Sequence, residues 1–221
     1  MMKDKHSHSV PNPKSEKNSY YLRDYLGHPP FISASSWAIY DCRRGKLIAG
    51  KNDTTRREVA SITKMMTFYT AIQLINEFRL DVNRNTCTVS QVASEVIGTT
   101  AKLVEGDVLT LKQLFYGMML PSGNDAAFVL AEYFGQLIIE RRRPVFTKAS
   151  HEDRLQWEKL MQHTQFWGNV NIRTFMKEMT KNAQALGMYD TFYDSPHGLR
   201  NERNFSTAYD VSLLTQECMK I

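Results

Sequence analysis

What is scarce in the chain narrows its class before any motif is considered. Only three cysteines occur in 221 residues, Cys42, Cys87 and Cys218, far apart and outside any C-x-x-C or Cys/His cluster. This argues against a disulfide framework or a zinc knuckle and for a core of apolar side chains, which a chain of this length can bury. Cys42 and Cys218 are expected as buried apolar fillers. No apolar run reaches the ~20 residues that a membrane-spanning helix needs, so no membrane segment is expected. The opening stretch "MMKDKHSHSVPNPKSEKNSYYLRDYLGHPP" is polar, contains prolines and lacks the apolar centre of an export signal. It reads as a tail over residues 1–30 ahead of one domain at 31–221, with the compartment left open. H-E-x-x-H is missing, and His6 and His8 alone make no metal tract, so no metal site is expected. The net charge is +5, but Lys and Arg are scattered apart from Arg141-Arg142-Arg143. A nucleic-acid partner is therefore not expected, because such binders concentrate their charge in a patch.

What is present is ordinary for a globular protein: 42% hydrophobic and 23% charged residues. "SASSWAIYDCRRGKLIAGKN" predicts two short strands around a turn at Arg44-Gly45. Residues 61–78 carry Ile62, Met65, Met66, Phe68, Tyr69, Ile72 and Ile75 on nearly every face, the pattern of a buried helix. Short strands and turns are expected up to Gly106-Asp107, then a helix from about Thr110 that Pro121 ends. "NDAAFVLAEYFGQLII" predicts another apolar helix, with Asn124 or Asp125 near its cap. Residues 140–169 turn charged and aromatic without a clean apolar period, which reads as a surface insertion. A helix over 171–186 with Gly187 as C-cap follows, and the last helix is capped by Ser206 or Thr207.

Two short motifs sit at element boundaries. Ser61-Ile62-Thr63-Lys64 opens the first buried helix, and Ser122-Gly123-Asn124 follows the break at Pro121. A hydroxyl and an amine at i and i+3 share a helix face, so Ser61 and Lys64 can meet. Each motif alone also fits a plain helix start or turn. Jointly, S-x-x-K and S-x-N in this order form a known catalytic pattern of penicillin-binding proteins and serine β-lactamases. A serine needs a base within hydrogen-bond reach to attack an acyl carbon, and a lysine serves only when burial and a helix N-terminus favour its neutral form.

The chain resembles the D-alanyl-D-alanine carboxypeptidases, the low-molecular-mass penicillin-binding proteins. "ASITKMMTFYTA" is similar to that family's nucleophile helix, and "TLKQLFYGMMLPSGNDAAFVLAEYF" to its second-motif region. "KEMTKNAQALGMYDTFYDSPHGL" and "FSTAYDVSLLTQEC" resemble the segments that follow. The resemblance implies an α+β fold of the β-lactamase/transpeptidase type, a helical cluster beside an antiparallel sheet. It implies Ser61 as nucleophile, Lys64 as base, Ser122 as proton relay and Asn124 as the substrate-binding amide, with no cofactor. The implied partners are peptides ending in D-Ala-D-Ala, with β-lactams as acylating inhibitors. His197 in "SPHGL" is expected to organise its loop rather than act as a base.

The family's third motif, K-T-G, does not occur in the 221 residues. By family order it should follow the "STAYD" helix, so the sequence reads as truncated, with the C-terminal strands missing. That leaves two alternatives: a binding protein of the same fold with impaired catalysis, and a serine β-lactamase. The latter needs an added carboxylate for deacylation, and Glu152 in "HEDRLQ" is poorly placed for it.

Overall fold

The computed structural model describes residues 32–147, 170–199 and 202–221. The tail at 1–30, Glu152 and most of the charged stretch lie outside them. The first described element is the expected hairpin, β1 (Trp37–Asp41) with β2 (Lys46–Lys51). Its turn is held by Asp41, whose Oδ1 accepts from the N–H groups of Arg43 and Arg44, and Gly45 takes a left-handed φ of 64°.

Helix α1 (Thr63–Phe78) begins two residues later than the sequence predicts. Ser61 lies in the turn before it, where Thr63 and Lys64 donate their N–H groups to the carbonyls of Ala60 and Ser61 at 3.0 Å. β4 (Thr86–Thr88) pairs with β5 (Val108–Thr110), and between them lies a four-residue helix, α2 (Gln91–Ser94), that the sequence does not announce. One turn is too short for a 3.6-residue period to register, and its only signal is the Ser90 hydroxyl capping Ala93 N–H at 3.1 Å.

Helix α3 (Leu111–Met119) opens on a reciprocal cap between Thr110 and Gln113 and stops before Pro121. Helix α4 (Asn124–Thr147) runs further than its apolar segment, so the charged stretch begins as a continuation of this helix. Glu and Arg are good helix formers, and Pro144 did not end the helix. Helix α5 (Val170–Ala185) ends as expected at Gly187, with φ of 79°. Thr207 caps α6 (Ala208–Cys218) by accepting from Asp210 N–H at 3.0 Å.

The expected antiparallel pairing is present as three two-stranded sheets among the described residues. The smallest, β3 (Arg57–Glu58) with β6 (Phe205–Ser206), ties the segment just before α1 to the segment just before α6. The core lies among α1, α3, α4 and α5, where Phe134 and Phe175 stack at 6.1 Å between ring centroids. Each such buried side chain contributes about 1.5–3 kcal/mol. α4 and α5 cross so closely at Gly135 that any Cβ there would lie on the Asn171 carbonyl. Cys87 is the cysteine in the core, on the inner face of β4, whereas Cys42 and Cys218 are only half-buried, a correction to the expectation.

Candidate active site

The site is assembled where α1 begins, and two distant segments and the turn before the helix converge on one amine. Lys64 is 2% exposed, and its Nζ donates to Ser61 Oγ at 3.2 Å, Asn124 Oδ1 at 2.7 Å and the His197 carbonyl at 2.9 Å. These are as many acceptors as an ammonium has protons. Burial lowers the Lys64 pKa to about 8, against an opposing pull from the Asp125 charge. Ser61, in contrast, is exposed at the mouth of the turn.

Asn124 is fixed on every side. Its N–H donates to the Thr99 carbonyl at 2.7 Å and its Nδ2 to the Ile97 carbonyl at 2.8 Å, so Oδ1 is left facing the amine. Ser122 takes a left-handed φ of 60°, a conformation that costs a non-glycine residue about 1–3 kcal/mol. The turn is held there by the Thr99 hydroxyl, which donates to the Ser122 carbonyl at 2.6 Å. Gly123 is obligatory, because a Cβ would sit 2.6 Å from the Gly117 carbonyl. The structure thus brings Ser61, Lys64 and Asn124 into one hydrogen-bonded group, and places Ser122 two residues away on a constrained turn without a bond to Lys64.

His197 holds its loop. Its Nδ1 accepts from Leu199 N–H at 3.0 Å, which puts the proton of a neutral ring on Nε2. Burial, aided by the Lys64 charge, lowers its pKa to about 4, so the ring is neutral at pH 7. The loop is strapped to α1 a second time where Thr67 Oγ1 donates to the Pro196 carbonyl at 2.6 Å.

Asp125 does more than the helix-capping expected of it. Its carboxylate accepts from Thr100 Oγ1, from the N–H groups of Ala101 and Leu103, and from Ala126 N–H, at 2.6–3.2 Å. Burial raises its pKa, but these bonds together outweigh burial and hold the carboxyl below its ordinary value. Asp125 therefore contributes stability that is full above the unfolded pKa of about 3.9 and is lost as pH falls through the folded value. Asp125→Asn turns a donor toward these N–H groups and is expected to cost about 2–3 kcal/mol, or about 5–10 °C in Tm. Thermal melts at pH 7 and pH 3 check this, since the gap between variant and parent should narrow in acid.

Sequence reasoning missed the main-chain acceptors at Ile97, Thr99 and His197, because a carbonyl leaves no mark in residue type. It also missed Asn204, which is 0% exposed beneath the Ser61 turn.

An exposed serine beside a buried, hydrogen-bonded lysine at a helix start, in a mixed helical and antiparallel fold, is the arrangement that serine-lysine acyl transfer requires. The family model of D-alanyl-D-alanine carboxypeptidase matches residues 25–136 and 168–221, and the chain belongs to this family. It is 27% identical over 187 residues to the D-alanyl-D-alanine carboxypeptidase DacF of Bacillus subtilis, covering 85% of this chain and 39% of that one. The Streptomyces K15 DD-transpeptidase structure superposes with a TM-score of 0.66 at 28% identity, over 88% of this chain and 63% of that one. The carboxypeptidase DacD from Francisella tularensis superposes with a TM-score of 0.65 at 26% identity, over 88% and 40%. The chain thus has the transpeptidase/β-lactamase fold and spans only about two fifths of several relatives it matches, 39% and 41% of the first two.

Proposed function

We propose that this chain is a serine-type D-Ala-D-Ala carboxypeptidase-like hydrolase that works through an acyl-enzyme on Ser61. The observation that carries this is the Lys64 amine, buried, shifted down to about 8 and 3.2 Å from Ser61 Oγ. In its neutral form Lys64 keeps two donors, for Asn124 Oδ1 and the His197 carbonyl, and turns its lone pair to Ser61. Ser61 Oγ then bonds to the penultimate D-alanine carbonyl carbon as its proton passes to Lys64. The peptide C–N bond breaks, and the departing D-alanine amine takes that proton through Ser122. Water then cleaves the ester with the same groups acting in reverse. Ser61 N–H at the helix start supplies an oxyanion donor, and Asn124 orients the substrate amide.

The implied partners are peptidoglycan peptides ending in D-Ala-D-Ala, and β-lactams as acylating mimics of them. Among the described residues no helix is long and apolar enough to cross a membrane. The second reading is a binding-only protein of the same fold. Incubation of the purified chain with a penicillin, followed by intact mass and peptide mapping, separates the two. The expected result is one adduct on Ser61; a folded chain without an adduct overturns the acylating assignment.

A further inference from the structure

The turn that carries Ser61 has no cap of its own. Ile62, at the N-cap of α1, makes no side-chain cap bond. The turn instead rests on tight backbone bonds: Thr63 N–H to Ala60 O, Lys64 N–H to Ser61 O and Met65 N–H to Ile62 O, at 3.0–3.1 Å. Bonds of this i to i+3 kind are weaker than those of a regular helix, and a frayed helix start would let Ser61 drift relative to Lys64. Something outside the turn must hold it.

Asn204, 141 residues further along the chain than Thr63, is in position to do so. Its Nδ2 spends both protons on the turn, one on the Val59 carbonyl and one on Thr63 Oγ1, each at 2.8 Å. Its own carbonyl accepts from Val59 N–H at 3.0 Å, extending the β3–β6 ladder by one residue. Its Oδ1 accepts from Asp194 N–H at 3.2 Å, which anchors the amide in the loop that also carries His197. One fully buried amide therefore joins the two sides of the serine turn and the loop whose carbonyl holds Lys64. Gly198 packs so tightly against the same turn that any Cβ would lie on the Ala60 carbonyl and 2.8 Å from Thr63 Oγ1, so the turn has contacts from both residues.

We propose that Asn204 is a positioning residue that sets Ser61 against Lys64 by clamping Val59 to Thr63 across the turn. This rests on the assignment of Ser61 and Lys64 above. Geometry of this kind is steep in its effect, since a displacement of about 1 Å at a reacting centre costs roughly a hundredfold in rate.

The test uses the full chain, a fluorescent penicillin, and two variants, Asn204→Ala and Thr63→Val. Thr63→Val keeps side-chain shape and cuts only the Nδ2 to Oγ1 bond. Both variants are expected to lose about tenfold or more in the acylation rate at saturating reagent, with half-saturation changed by less than about threefold. NMR of the Lys64 side chain supplies a readout independent of acylation: its pKa, at about 8 in the parent, should move up toward the ordinary value of about 10.4. Asn182→Ala removes a comparable amide bond to Thr70 Oγ1 further along α1, 3.2 Å in length, and should leave rate and titration unchanged. Folded variants that match the parent in both readouts overturn the proposal, as does an equal loss in Asn182→Ala. If Asn204→Ala does not fold, Thr63→Val decides. If the parent itself takes no adduct, the nucleophile assignment fails, and the Lys64 titration alone then decides whether Asn204 clamps the turn.

Discussion

Ser61→Ala is expected to give a folded chain that gains no mass from a penicillin. The expected loss is complete because in the proposed reaction the serine oxygen bonds to the acyl carbon, and the Lys64 amine beside it is buried at 2% exposure. Stability should change by no more than about 0.5 kcal/mol, as for other exposed substitutions without a special role. Ser61 is exposed, and the bond its hydroxyl accepts from the Lys64 amine is the longest of the three the amine makes, at 3.2 Å against 2.7 and 2.9 Å. Intact mass and a melting curve on the same sample check both halves. A persistent adduct would place the nucleophile elsewhere.

The second large effect concerns Lys64 and pH. With a pKa of about 8, roughly one lysine in ten is neutral at pH 7, and only that fraction can take the serine proton. Acylation is therefore expected to rise about tenfold from pH 6 to pH 7, bend near pH 8 and flatten above it. Lys64→Ala should lower the rate by about 10² to 10⁴ and abolish the bend. A stopped-flow profile from pH 6 to pH 9 checks this, and a flat profile in the parent would remove Lys64 from its role. Stability follows the same group with a definite sign. The folded value lies below the unfolded one of about 10.4, so the unfolded chain binds more protons between them. The contribution of Lys64 thus grows more favourable as pH rises from about 8 toward 10.4, and the buried ammonium costs stability below that window.

Asp125 and Asn204 act on the same centre through different segments. Asp125 pins the 100–103 segment, whose neighbours Ile97 and Thr99 fix Asn124; Asn204 pins the turn before α1. Two buried polar side chains that touch neither Ser61 nor Lys64 by a hydrogen bond thereby decide where both lie. Such a site is sensitive to changes well outside the S-x-x-K and S-x-N motifs.

Much of the molecule was legible from residue order because the signals were local. The hairpin followed from alternation around Arg44-Gly45, α3 from Thr110 and the break at Pro121, and the end of α5 from Gly187, each set by backbone preferences within a few residues. The pairing of Ser61 with Lys64 was legible for the same reason, since three residues of a helical turn bring them together. What tertiary structure alone decided are the contacts that span long separations. Lys64 receives Asn124 from 60 residues away and the His197 carbonyl from 133, and Thr63 receives Asn204 from 141. A main-chain carbonyl or a buried amide carries no periodic signature, and its partner is chosen only when packing closes the chain on itself. By itself, then, the sequence determined the elements and the proximity of Ser61 to Lys64; burial and long-range hydrogen bonding determined the lowered pKa and the placement of that amine.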